Sequence, residues 1–256
     1  MSKETQVQTV NESQIVPAYM QGADLGLDVI ENEDVITPRI KICQAMSTSK
    51  DSMDGIKDGQ WYTSAGKILG DSVDFFVLTK YNSRVWYGDG NKLIGYESTN
   101  PKTKEVTKFG EKIDEIMSNQ ALYSTGKDTY NYIVVLEKDL KDSIENGGSP
   151  VIYIYSAQSA ARGAAKKLNS MLKMAGQRGI PIYANRVGAA TEKKQFDNGA
   201  AYMPTFSDAG YAGKEEFEAL KGGYELAVMT LGNSNLHKED NETPFGDDES
   251  LDPFKS

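Results

Sequence analysis

The sequence predicts a mainly β fold with inserted helices, that is, a β-rich α+β domain. Short segments rich in β-branched and aromatic residues recur along the chain, and only two long segments have helical character. Turn signals such as Asp89-Gly90 and Asn100-Pro101 separate the short segments and favour antiparallel connections. An OB-fold-like antiparallel barrel with elaborations fits this pattern, and a two-sheet α+β domain would give the same pattern.

The strands are predicted from residue type and alternation. Residues 36–43 alternate apolar and polar side chains after Pro38, and residues 72–81 place Val73, Phe75 and Val77 on one face. Further strands are predicted at residues 60–63, 84–87, 92–96, 106–109, 130–136, 150–155, 180–187, 193–196 and 200–203. The strands at 130–136 and 150–155 are expected at the centre of the sheet, separated by a charged linker.

Two helices are expected. Residues 157–175 are rich in Ala, Leu, Met and Lys, follow a capping residue at Ser156 and stop at Gly176. Residues 214–231 form the second predicted helix.

Charge and composition divide the chain into three parts. Residues 1–35 carry seven acids and one Lys, and residues 238–256 carry seven acids and two Lys, so the middle of a chain of net charge −9 carries +2. We therefore expect a low-order acidic leader at residues 1–34, an OB-like nucleic-acid-binding domain at 35–236, and a disordered acidic tail at 237–256.

Cysteine usage and hydropathy indicate the compartment. Cys43 is the only cysteine, so no disulfide can form within the chain. No apolar run approaches the roughly 20 residues of a membrane span, and the first residues are polar. These features predict a soluble protein of a reducing cytoplasm.

The acidic tail is the most informative segment. Residues 238–256 read KEDNETPFGDDESLDPFKS and place two Pro-Phe pairs, ending at Phe245 and Phe254, among carboxylates. The segment is too polar to bury a core, so its two Phe side chains are predicted to serve a partner. An ordinary solvated acidic terminus is the alternative interpretation.

This ending resembles the acidic tips of bacterial and bacteriophage single-stranded-DNA-binding proteins. In the bacterial family the chain stops at Pro-Phe, whereas here Lys255 and Ser256 follow. The resemblance implies an OB-like body that coats and protects unwound DNA strands in phage replication and recombination. It also implies that the tail recruits a polymerase, helicase or recombinase. The implied partner-binding residues are Phe245, Asp247, Asp248, Glu249, Asp252, Pro253 and Phe254.

Coating a single strand requires aromatic faces for bases and cations for phosphates. Residues 80–87 interleave both, and residues 61–67 repeat the pattern. The candidates are Trp61, Tyr62, Lys80, Tyr81, Arg84, Trp86 and Tyr87. Because most Trp and Tyr side chains in strands pack into cores, the alternative is that these rings are structural.

The first predicted helix adds a basic stripe. Arg162, Lys166 and Lys173 fall at i, i+4 and i+11 and so share one face. Residues 156–191 contain six Lys or Arg and no acid, although a solvated helix surface would explain a charged stripe equally well. Arg186, Lys193 and Lys194 extend the list of candidate phosphate contacts.

The residue inventory argues against an enzyme. His237 is the only histidine and Cys43 the only cysteine, so neither a His-based catalytic triad nor a zinc knuckle can be built. No phosphate-binding loop of the GxxxxGK[ST] form occurs, and no cofactor or metal is expected. Two alternatives stay open: a phage DNA mimic that inhibits a host enzyme, and a nuclease or recombination enzyme that binds metal through Asp and Glu.

Overall fold

The computed structural model describes residues 37–230 apart from residues 46, 48, 49, 51, 52, 89–92, 111, 197 and 198 and the side chains of residues 229 and 230. The described residues belong to one compact unit that begins at Ile36. The predicted leader at residues 1–34 and the predicted tail at 237–256 lie outside the described residues.

Ten strands and five α-helices make up the described part of the chain. The strands are β1 Arg39–Ile42, β2 Trp61–Thr63, β3 Ile68–Gly70, β4 Ser72–Tyr87, β5 Leu93–Thr99, β6 Val106–Phe109, β7 Lys127–Leu136, β8 Ile152–Ala157, β9 Asn185–Phe196 and β10 Gly199–Tyr211. The helices are α1 Ile113–Ser118, α2 Gln120–Ser124, α3 Glu137–Asn146, α4 Ala161–Gln177 and α5 Lys214–Thr230, and a 3-10 turn spans Ile182–Ala184.

All ten strands join one sheet in the order β10-β9-β4-β7-β8-β1-β2-β3, with β5 and β6 branching from β4. The 16-residue strand β4 organises it: its first half pairs with β9, its second half pairs with β5, and β7 runs along its other side. Every pair is antiparallel except β1 with β8. The mainly β fold with inserted helices is confirmed. The sheet is not closed, because its end strands β10 and β3 do not pair with each other, so the predicted OB-like barrel finds no support.

Helices cover the middle of the sheet on both faces. Alternate residues of β4 and β7, such as Phe75 and Val134, share one core with Leu168 of α4. Their neighbours, such as Phe76, form a second core with Leu140 of α3 and Leu220 of α5. Burial on both faces explains why the central strands read as continuous apolar runs rather than as alternating ones. Each fully buried large side chain contributes about 1.5–3 kcal/mol, so the two cores account for much of the stability.

The predicted linker at residues 137–149 is wrong over its first ten residues, which form α3. Only Leu140 and Ile144 of this helix pack into the core. The buried Asp139 accepts a hydrogen bond from Tyr153 Oη (2.6 Å) and forms an ion pair with Lys67 (2.8 Å). A carboxylate thus occupies a position where an apolar side chain would have revealed the helical period. The helix ends at Gly147, whose φ of +74° suits glycine.

Candidate nucleic-acid interface

Four of the predicted base-stacking rings are buried. Trp61 packs edge-on against Tyr155, with ring centroids 5.7 Å apart, and is 0% exposed. Tyr62, Tyr81 and Trp86 are also buried, each in a different apolar cluster. A ring that is enclosed by protein has no face for a base, so the structure moves these four residues from the candidate interface to the core.

Trp86 shows how closely such a ring is held. It packs with Ile113 and Ile116 of α1, and its Nε1 donates a hydrogen bond to the Leu122 carbonyl (3.2 Å). The indole also lies against the backbone of Gly126, where a Cβ would come within 2.6 Å of it. Trp86 therefore fastens the β4 end of the sheet to the short helices α1 and α2.

The cations of β4 gather on the face of the sheet that carries α4. Arg84 lies directly opposite Asp128 of β7, and Lys80 lies opposite the buried Tyr132, which contacts α4. Directly opposed residues share a face, so Lys80 and Arg84 project on the side of α4. Arg162, in the first turn of α4, reaches the same place from above the sheet.

Each of these three cations lies over a tyrosine ring. Lys80 Nζ lies 4.4 Å and Arg162 Cζ 5.0 Å from the centroid of the Tyr130 ring. Arg84 Cζ lies 4.4 Å from the centroid of the Tyr123 ring. Such cation–π contacts contribute about 0.5–1 kcal/mol each at exposed sites and orient the guanidinium planes. The outer side of an oriented guanidinium can in turn stack a nucleic-acid base.

Two carboxylates lie among the cations. Asp128 bridges the arginines, with Arg84 NH1 to Oδ1 at 3.5 Å and Arg162 NH1 to Oδ2 at 3.4 Å. Glu97 accepts a hydrogen bond from Tyr123 Oη (2.8 Å), which raises the pKa of Tyr123 and keeps its hydroxyl protonated. Burial lowers the pKa of Lys80, whose Nζ donates to Asn82 Oδ1.

The outer face of α4 continues the positive charge. Lys166 follows Arg162 by one turn, and Lys173 lies two turns further; both are exposed and form no ion pair with any described residue. Asn169, between them, turns inward, and its Oδ1 accepts a hydrogen bond from Tyr132 Oη (2.8 Å). From Arg162 to Lys173 the helix spans about 16 Å.

We call this surface the basic path. Its cations are Lys80, Arg84, Arg162, Lys166 and Lys173, and its rings are Tyr123 and Tyr130. Among the described residues, two carboxylates, Asp128 and Glu97, contact these five cations and two rings, in a chain that is acidic overall.

The other predicted site residues lie apart from the basic path. Tyr87 accepts a hydrogen bond from Gln158 (3.1 Å) and packs with Val85 on the other face of the sheet. Lys193 and Lys194 are exposed where β9 extends beyond its pairing with β4, and Lys194 pairs with Glu192 (2.7 Å).

Arg186 has a structural environment. Its NH1 lies 2.7 Å from Glu137 Oε1, and its Nε donates to the Ala209 carbonyl (2.9 Å). These bonds join α3 to β9 and β10. Arg186 is thus engaged within the fold and is not part of the basic path.

Sequence reasoning missed the two rings and the two carboxylates of the path. The sequence pattern places Tyr130 in a central strand without indicating a surface role, and it does not predict the helix α2 that contains Tyr123. The alternation of Asp128, Tyr130 and Tyr132 along one face of β7 is a signal that could have identified two of them.

Other site types find no support in the described part of the chain. No cluster of three or more His, Cys, Asp or Glu side chains suited to a metal ion occurs among the described residues. Within the same residues, no helix is long and apolar enough to cross a membrane.

A family model described as Pam3 phage gp34-like protein matches residues 6–230. The chain belongs to this family. The match covers the whole basic path, and the family description agrees with the phage origin that the tail predicted, but it names no activity. No curated protein matches the chain, and no solved structure matches it.

Proposed function

We propose that this gp34-like protein binds single-stranded DNA without sequence preference and protects unwound strands during phage replication or recombination in the host cytoplasm. The observation that carries the proposal is the basic path, which combines cations at several separate points with guanidinium planes held on tyrosine rings. The proposal does not require an OB-like barrel.

Each part of the path has a physical task. Lys166 and Lys173 are flexible, exposed point charges suited to successive phosphates. Arg84 and Arg162 present oriented planes on which unpaired bases can stack. No side chain of the path is arranged to read a base edge, so binding should tolerate any sequence, and a duplex with its bases already stacked should bind less well.

The acidic tail supports a second part of the proposal. An acidic segment of net −5 in the same chain would compete with phosphate, and its Pro-Phe pairs would bind a replication or recombination protein. Both statements concern residues 238–256, outside the described structure, and are expectations from the sequence.

The test is charge reversal at the two exposed lysines of α4. Lys166→Glu with Lys173→Glu should weaken binding of fluorescent oligo-dT by at least about 25-fold at 0.1 M salt, because two phosphate contacts of a single strand are lost. Arg162 stays unchanged because it also contacts Tyr130 and Asp128. The melting temperature should stay near that of the parent protein, since both lysines are solvated.

A matched control is available on the opposite face. Lys138 of α3 and Lys221 of α5 are exposed cations on the helices that pack on the other side of the sheet. Lys138→Glu with Lys221→Glu makes the same change in net charge and should leave oligo-dT affinity within about threefold. Equal losses in both double variants would show that only net charge matters and would remove the basic path as the site. A parent protein that binds no oligonucleotide would favour the inhibitor alternative.

A further inference from the structure

Asp128 occupies an unusual place within the basic path. It is the one carboxylate that contacts two guanidinium groups there, and its side chain is 46% exposed. Both ion-pair distances, 3.4 and 3.5 Å, are longer than the roughly 2.7–2.9 Å of a strong charge-assisted hydrogen bond. Asp128 is therefore attracted by both arginines without being locked to either.

The arginines themselves are not saturated. Their side chains are 25% and 32% exposed, and apart from the long contacts to Asp128 their terminal groups form no ion pair with another described residue. The Nε atoms of both are buried, so an incoming anion would meet the terminal NH1 and NH2 groups. Arg84 Nε lies beside Gly126, where a Cβ would come within 2.9 Å, so the backbone rather than a side chain fills this side. Each guanidinium has its plane fixed by a tyrosine ring and retains donors for a planar or tetrahedral oxyanion.

We infer that Arg84 and Arg162 together bind one phosphodiester of the bound strand, and we call this pair the clamp. In the absence of DNA the Asp128 carboxylate occupies the clamp, and it moves to solvent when a phosphate takes its place. The inference rests on the proposed function and specifies one contact of the strand. A carboxylate between two guanidinium groups presents two oxygens at the spacing that a phosphate would use, so it stands in for that group.

The competition has a functional consequence. Asp128 halves the charge of the clamp from +2 to +1, so the clamp attracts stray anions less strongly, while a strand bound elsewhere on the path can displace the carboxylate at high effective concentration. Asp128 thus lowers affinity for isolated phosphates and nucleotides more than for a strand that also contacts Lys166 and Lys173. The clamp is specific for a polymeric ligand because of this internal competitor.

Asp128→Asn tests the inference, since it keeps the shape and removes the charge. The variant should bind oligo-dT about fivefold more tightly at 0.1 M salt, and the slope of log affinity against log salt should steepen by about 0.7, because one more phosphate is neutralised by the clamp. Adding Arg162→Gln to the variant should abolish the gain. Asp142→Asn, a change of the same charge on α3 across the sheet, is the matched control and should alter neither quantity.

The outcomes separate the inference from the proposed function. An unchanged affinity and slope for Asp128→Asn, with normal binding by the parent protein, overturns the inference alone. A parent protein and a variant that both fail to bind oligo-dT overturn both. Submillimolar competition by dTMP or inorganic phosphate against the parent protein would assign the clamp to a free nucleotide or phosphate and overturn the strand assignment.

Discussion

Replacing Trp86 with alanine separates a structural indole from a base-stacking one. The side chain is 2% exposed, lies between Ile113, Ile116 and Tyr123, and donates a hydrogen bond to the Leu122 carbonyl. Truncating a buried aromatic to alanine costs about 3–5 kcal/mol, because the lost burial is accompanied by a cavity. For a domain of this size the melting temperature should fall by about 6–20 °C.

The assay is thermal unfolding followed by circular dichroism, with oligo-dT titration of the folded variant below its transition. Trp86→Phe is the matched control, because it keeps most of the buried area and should lose far less stability. The tryptophan emission of the parent protein should also change little on DNA binding, since Trp61 and Trp86 are both enclosed. A melting temperature within about 2 °C of the parent, with oligo-dT binding weakened by about 1–3 kcal/mol, would refute the structural role and return Trp86 to the interface.

Three further changes test other parts of the account. Gly126→Ala should destabilise the protein by about 1–3 kcal/mol in urea unfolding, because its Cβ would clash with the Trp86 indole, whereas Gly163→Ala, with open space at its Cβ, should not; equal effects would contradict the packing described. Burial alone would raise the pKa of Glu137, but hydrogen bonds from Lys141 and Arg186 outweigh it and hold that pKa below its ordinary value. The bonds therefore stabilise the fold above about pH 4.5 and are lost as pH falls through the lowered pKa, so Glu137→Gln should reduce urea stability at pH 6, and its gap to the parent should narrow as the pH falls below 4.5; a constant gap would contradict this. Deleting residues 238–256 should leave oligo-dT affinity unchanged or raise it and abolish capture of a replication partner, and weaker DNA binding by the truncated chain would show that the tail does not compete.

The central strands and α4 could be predicted because their local patterns agree with their place in the fold. The apolar run of β7 and the Ala- and Leu-rich pattern of α4 require burial whatever their partners are. The α3 helix could not be predicted, because its buried Asp139 depends on Lys67 and Tyr153 from distant parts of the chain. A local pattern contains no information about such a pairing.

The candidate site was predictable only in its charges. The sequence marks Arg84 and Arg162 as cations, but only the pairing of β4 with β7 and the position of α4 bring them to the same carboxylate. The burial of the rings could not be predicted. Trp86 and Tyr87 are adjacent in the sequence, and the strand pattern alone does not indicate that α1 and α2 enclose the Trp86 indole.

The central claim is tested most directly by titrating the full-length protein with fluorescent oligo-dT at 50 mM and 200 mM salt, in parallel with the Lys166→Glu, Lys173→Glu double variant. We expect the parent protein to bind at low salt and to lose affinity steeply at high salt, and the double variant to bind more weakly with a shallower salt dependence. Absence of binding by the parent at 50 mM salt, or an affinity that is the same at both salt concentrations, would contradict the proposal that the basic path binds single-stranded DNA.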